Sequence, residues 1–304
     1  MKTKISALLI IIAFVCVILS CQSVASVADI GAQVAGAVGL IDQNTANAIS
    51  NTSRAIGNAA EEITPEQEYY IGRAVGANIL ATYRVWNGNP ALTSYLNMIC
   101  GAITINSPKP DVYNGYHVAI LDSNEINAFA TSGGHIFLTR GLINAAKSED
   151  ALAAVIAHEV AHIQLQHSIK AIKTSRITQA IIVTGTSAAG AATGMDVNEL
   201  TSVFNESVGE IVQTLVNNGY SQSQEFDADN TAMSLLASAG YNSSGLLDML
   251  RELNAAQSAA PAGGFTKTHP TPAQRITNAE KSVSQYRVAD TSQYRQARFQ
   301  TSVR

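Results

Sequence analysis

The stretch SEDALAAVIAHEVAHIQLQH, residues 148–167, decides how this chain reads. Ser148 suits a helix N-cap, and Glu149 and Asp150 follow it where acids complement the helix dipole. Leu152, Val155, Ile156, Val160 and Ile163 recur at helical steps, which predicts a helix with a buried stripe running to about Lys170. Within it stands His158-Glu159-Val160-Ala161-His162. Residues four apart on a helix lie about 40° apart in projection and about 6 Å apart along the axis. Both imidazoles therefore lean to one side and can share one metal ion. The stripe accounts for the helix but not for the histidines. Glu159 sits beside them, placed to reach a water activated by the metal rather than to bind the metal, which is where a general base belongs.

Zinc on two imidazoles needs a further protein ligand. One known extension of the motif places glycine three and histidine six residues beyond the second histidine, but Leu165 and Ser168 stand there. His167, five residues past His162, would point about 140° away on a continuous helix, and reads as a helix-end cation or a structural hydrogen bond. The better candidate is Glu225-Phe-Asp-Ala-Asp229, inside a helix predicted over 221–238 and stopped by Gly240. Glu225 and Asp229 then share a face, Glu225 as zinc ligand and Asp229 as the acceptor that orients a ligand histidine. His269, in Thr268-His-Pro270, belongs to no helical stripe. It reads either as a donor to the oxyanion of a tetrahedral intermediate or as a fourth zinc ligand at rest.

Lys2 and Lys4 precede an apolar run from Ile5 to Leu19. At about 15 residues the run is short for a membrane span, which needs about 20, and suits a signal peptide over residues 1–20. Ile18-Leu-Ser-Cys21 resembles a bacterial lipobox, making Cys21 the acylated first residue of the mature chain. Gln22, where aspartate would favour inner-membrane retention, points to the outer membrane. Cys16 would leave with the leader and Cys100 reads as a buried thiol, so no internal disulfide is expected.

Residues 21–63 are rich in small side chains, with Ile30, Val34, Val38, Ile41, Ile49 and Ile56 on a helical stripe, and read as a stalk or docking helix. A catalytic domain is expected over 64–280. It opens with helices from Thr64-Pro65 to Tyr83 and from Leu92 to Ile105. His117–Leu121 and His135–Thr139 read as strands, with Gly133-Gly134 as the turn between them. Residues 176–216 read as a helical arm or lid, and 281–304 as a polar tail.

Composition bounds the remainder. With 304 residues, 46% of them hydrophobic and 14% charged, the chain can bury a sizeable core and is not a disordered chain. Its net charge of -4 would fall to -6 on loss of Lys2 and Lys4 with the leader. With 19 Lys+Arg against 23 Asp+Glu and no basic run, nucleic acid is not an expected partner.

Several landmarks in order are similar to one known family. They are Asn127-Ala-Phe-Ala130, Gly133-Gly-His-Ile-Phe-Leu-Thr-Arg-Gly141, His158 to His167, Gly219-Tyr-Ser221, Glu225 to Asp229 and Thr268-His-Pro270. From about Thr64 to Ile276 the chain resembles the gluzincin metallopeptidases of the CAAX-prenyl-protease/HtpX type, in particular their periplasmic lipoprotein branch of LoiP- and BepA-like proteins. Gln222, Asp227 and Asn230-Thr231 depart from the pattern without touching a ligand position.

The resemblance implies an α+β, mostly helical zincin-like domain with a small sheet flanking the active-site helix. It implies one Zn2+ per chain on His158, His162 and Glu225, with Glu159 as catalytic base. It also makes Gly134, His135, Ile136 and Phe137 an edge strand against which an extended peptide pairs. The expected function is a metalloendopeptidase of the cell envelope that cuts extended or misfolded polypeptides, held to the membrane by lipid on Cys21, with envelope-assembly proteins among its partners. Its rivals are a periplasmic chaperone on the same scaffold and a zinc hydrolase of another amide bond.

Overall fold

The computed structural model describes residues 21–40, 42–47, 49–51, 63–170, 209, 211–213, 218–259, 268–269, 272–286 and 288–303. They belong to two units, one drawn from 1–63 and 171–203, the other from 64–170 and 204–304. In the first unit, helix α1 (Cys21–Ala37) carries Ile30 and Val34 exposed on one face, with Val38 exposed just after its end. It meets the short helical stretch after it through small residues: a Cβ on Gly36 would lie 2.7 Å from that of Ala46. The expected signal peptide lies outside the described residues. So does the expected arm 176–216 apart from 209 and 211–213, which are helical.

The second unit is built around α5 (Glu149–Gln164), in which every residue from Glu149 to Ile163 is buried. Five alanines on this helix (151, 153, 154, 157 and 161) let neighbours approach on every side, so it has no solvent face. It packs on α6 (Gln222–Ser238), α7 (Ser244–Ala259), α3 (Pro90–Ile105) and the sheet. Burying Leu152, Ile156 and Val160 completely contributes about 1.5–3 kcal/mol each. Ser148 caps the helix, its Oγ accepting from Ala151 N at 3.1 Å.

Helix α2 (Pro65–Thr82) begins with a capping box between Thr64 and Gln67, and α3 with Asn89 accepting from Leu92 N. The sheet has the order β1 (His117–Leu121), β3 (His135–Thr139), β2 (Ala128–Thr131). β1 pairs with β3 in parallel, His117 opposite His135, and β2 pairs with β3 antiparallel, Thr131 opposite His135. The glycine turn thus joins β3 to β2, a strand that sequence reading missed because four residues with two alanines give little strand signal. Gly133 and Gly134 adopt φ of 79° and 101°, and a Cβ on Gly133 would lie 2.4 Å from the Tyr69 Cα.

Three further expectations are corrected. β3 is the central strand, so Gly134 to Phe137 do not form an edge: both backbone sides are already paired. Helix α5 stops at Gln164 instead of running to Lys170. The polar tail is docked: after α4 (Arg140–Ala145) and the helices above come α8 (Pro272–Ala279) and α9 (Ser292–Val303), the latter with Phe299 and Arg295 buried. Arg298 donates to Glu149 at 3.1 Å and Arg295 pairs with Asp150 at 2.9 Å, so α9 covers the acidic first turn of α5. One phenylalanine and two arginines in a polar tail gave no periodic signal. Among the described residues no helix is long and apolar enough to cross a membrane.

Candidate metal centre

Helix α5 turns His158 and His162 to one side, and their Nε2 atoms lie 3.0 Å apart. The capping box of Ser221 and Gln224 starts α6 at a defined residue and puts Glu225 in its first turn. Because α6 packs along α5, Glu225 Oε2 comes to 3.5 Å from His158 Nε2 and Oε1 to 3.5 Å from His162 Nε2. His269, on the segment before α8, brings Nδ1 to 3.0 Å from Glu225 Oε1 and 3.4 Å from His158 Nε2. All four side chains are buried, and one donor atom from each lies within 4.8 Å of the others.

The donors fit a divalent ion. Zinc binds nitrogen at about 2.0–2.1 Å, so neighbouring vertices of a tetrahedron around it are roughly 3.3 Å apart. Five of the donor pairs here, counting both oxygens of Glu225, are 3.0–3.5 Å apart, close to edges of that size. At the centre three buried carboxylates, Glu159, Glu225 and Asp229, face one guanidinium, that of Arg275.

Glu159 is fully buried, and among the described residues neither of its oxygens has a hydrogen-bond partner. A buried carboxylate left so is costly unless a water or cation completes it. Its Oε1 is 3.5 Å from His269 Nε2, so it faces the cluster without joining the ligand group. Burial raises its pKa. Burial would also raise that of Glu225, but Arg275 and His269 beside it hold the carboxyl well below the usual range. Burial disfavours a charge on His158, yet the Asp229 and Glu225 carboxylates outweigh burial and Arg275 and lift its pKa to about 9. Asp229 Oδ1 is 3.0 Å from His158 Nδ1, the arrangement expected for an acceptor that orients a ligand imidazole.

The family model of peptidase family M48 matches residues 90–283, which include all of these side chains. The chain belongs to peptidase family M48. It is 24% identical over 227 residues to the beta-barrel assembly-enhancing protease of Escherichia coli K12, covering 72% of this chain and 43% of the relative. It is 28% identical over 162 residues to metalloprotease LoiP of the same organism, covering 53% of this chain and 60% of the relative. It is also 29% identical over 190 residues to the mitochondrial metalloendopeptidase OMA1 of Schizosaccharomyces pombe, covering 62% and 52%. The chain spans about half the length of the curated relatives it matches.

Three more residues surround the cluster: Arg275 and Tyr220, to which sequence reading assigned no role, and His167, which it offered as a helix-end cation or a structural hydrogen bond. Arg275, fully buried on α8, donates through Nε and Nη2 to Asp229 at 2.8 and 2.6 Å, and its Nη1 lies 2.7 Å from Glu225 Oε2. It links the two acids of α6 to the helix that follows His269. No local pattern announces it, because its partner Asp229 is 46 residues upstream. Tyr220 stacks on His162, ring centroids 4.0 Å apart and planes 17° from parallel. His167 turns back and places its Nδ1 2.8 Å from His162 Nδ1, and burial pushes its pKa down to about 4. Asn127 ties the sheet to the His269 segment, its Oδ1 accepting from Thr268 Oγ1 at 3.1 Å. His135 stacks on Tyr69 at 5.4 Å, and Gly134 to Phe137 contribute a central strand rather than an open one.

Proposed function

We propose that this M48 member is a zinc-dependent endopeptidase, lipid-tethered through Cys21 at the periplasmic side of the outer membrane, acting on extended or misfolded envelope proteins. The observation that carries the reading is the convergence of His158, His162 and Glu225 donors beside the buried carboxylate of Glu159, which accepts no hydrogen bond among the described residues. His158, His162 and Glu225 would hold the ion, and the nitrogen and carboxylate donor set suits zinc. The ion supplies Lewis acidity to water and to the scissile carbonyl.

Glu159 takes the proton of the attacking water on a carboxylate oxygen and passes it to the nitrogen of the leaving amine. Burial raises its pKa, which favours its acceptance of a proton. His269 is a fourth donor in the closed arrangement. Once withdrawn from Glu225, it can hydrogen-bond the oxyanion.

With β3 paired on both sides, an extended peptide would add to an outer strand, and β2 is the outer strand that packs against α5. Pairing to backbone reads extension rather than sequence, which suits unfolded substrates. The name of the Escherichia coli and related beta-barrel assembly-enhancing proteases supports a role connected with β-barrel assembly.

The test compares wild type with Glu159→Gln for bound zinc and for cleavage of casein and of peptidoglycan. Zinc is expected in both, with casein cut by wild type alone. Cleavage of peptidoglycan only would overturn the peptidase reading. Cys21→Ser should move the chain out of the membrane fraction, and an unchanged distribution would overturn the tether.

A further inference from the structure

His162 presents Nε2 to the cluster, 3.0 Å from His158 Nε2. A neutral imidazole carries one proton, so a ring that offers Nε2 to a cation carries that proton on Nδ1 and needs an acceptor there. For His158 the acceptor is Asp229. For His162, the partner of Nδ1 among the described residues is His167 Nδ1 at 2.8 Å.

A continued helix would not make that contact, since five residues turn His167 well away from His162. Helix α5 ends instead, with Leu165 N bonded to Ala161 O at 2.8 Å and Gln166 N to Ile163 O at 3.0 Å. Gln166 has φ of 55°, and among the described residues it is the one non-glycine residue with a left-handed backbone. The chain then re-enters a helical turn, with Lys170 N bonded to Gln166 O at 2.9 Å. An L residue keeps such a conformation only when its surroundings impose it. Here the Gln166 amide donates to Glu68, and His167 is 3% exposed, its ring packed against His162 and Tyr220.

We propose that His167 is a positioning residue of the metal centre, delivered by the left-handed turn at Gln166, which accepts the Nδ1 proton of His162 and holds the Nε2 lone pair of that ring on the ion. This role rests on the reading of His162 as a zinc ligand. The hydrogen bond fixes both the tautomer and the tilt of the ligand, as outer partners of metal-bound histidines do, and their loss typically weakens metal binding about 10–100-fold.

The test uses the full chain, measuring zinc affinity by competition with a fluorescent chelator and recording the visible bands of the Co2+-loaded protein. His167→Phe keeps a ring but removes the acceptor, and should weaken zinc about 10–100-fold and shift the Co2+ bands. His167→Asn offers an amide oxygen near the Nδ1 position and should restore most of the affinity. Gln166→Val resists the left-handed backbone and should weaken zinc although His167 is present, whereas Gln166→Gly should not.

A merely structural His167 would change the unfolding temperature and leave the zinc affinity of folded protein unmoved, which overturns the proposal. If His167→Phe does not fold, equal zinc affinities in Gln166→Val and Gln166→Gly overturn it instead. His162→Ala separates the two levels. If it loses zinc while His167→Phe does not, only the positioning role fails. If it keeps wild-type affinity, the ligand reading fails with it.

Discussion

Replacing Arg275 by methionine tests the electrostatics of the centre most directly. The guanidinium is 1% exposed and spans two carboxylates of α6 that are themselves fully buried, with two aligned donors on Asp229 and a 2.7 Å contact to Glu225. Methionine fills much of the volume but leaves both acids without their cation. Removing one partner of a buried ion pair costs about 3–5 kcal/mol, because the remaining charge stays buried. In a domain of about 200 residues, each kcal/mol moves Tm by about 2–4 °C, so metal-free Arg275→Met should unfold about 6–20 °C below wild type. Arg275→Lys should recover only part of the loss, since a single ammonium cannot reproduce the planar fork.

Zinc should offset more of the deficit in Arg275→Met than it adds to wild type, because the ion then supplies the positive charge Glu225 lacks. Differential scanning calorimetry at pH 7.5, after chelation and again with saturating zinc, measures both effects. A metal-free Arg275→Met with wild-type Tm would refute the charge reasoning, and an equal zinc increment in the two proteins would refute the coupling of Arg275 to Glu225.

Other outcomes follow from the same geometry. Glu225→Ala should reduce zinc content to trace levels while α5 stays helical by circular dichroism, and tight zinc in that variant would remove Glu225 from the ligand set. Burial raises the Glu159 pKa above 4.5, so its contribution to stability is complete below that pH and is lost as pH rises through the folded value. Metal-free Glu159→Gln should therefore melt above wild type at pH 7.5, with the gap narrowing towards pH 4.5; a lower Tm at pH 7.5 would contradict the assignment. Cys100 is buried and its thiol is pushed up to about 12, so iodoacetamide at pH 8.5 should spare it in folded protein and label it in denaturant, as peptide mapping would report.

The elements that announced themselves were those with local causes. The capped start of α5, the paired histidines one turn apart, the helix from Ser221 and the proline start at Thr64-Pro65 all depend on neighbours within a few residues, so chain order alone displays them. The reading lapsed where the cause was distant or opposed to pattern. β2 is too short and alanine-rich to register as a strand, and only its pairing with β3 makes it one, which is also why β3 became central. Gln166 carries no glycine to signal a left-handed turn, so helix α5 was expected to run past it and His167 was pointed away from the centre. The tail looked polar because Arg295 and Arg298 are charged, yet their partners Asp150 and Glu149 lie at the far end of α5.

What the amino-acid order determined by itself was the donor inventory: two imidazoles on one helical face, a neighbouring carboxylate, and an acidic pair one turn apart on another helix. Each follows from the 3.6-residue turn. Only the tertiary structure decided that these sets meet, since His158 and His269 are 111 residues apart and no local rule reaches that far. Close packing of α6 on an alanine-lined α5 brings Glu225 to the histidines, and burial then makes each charge demand a partner. That demand is what gives Arg275, Asp229 and His167 their places around the centre.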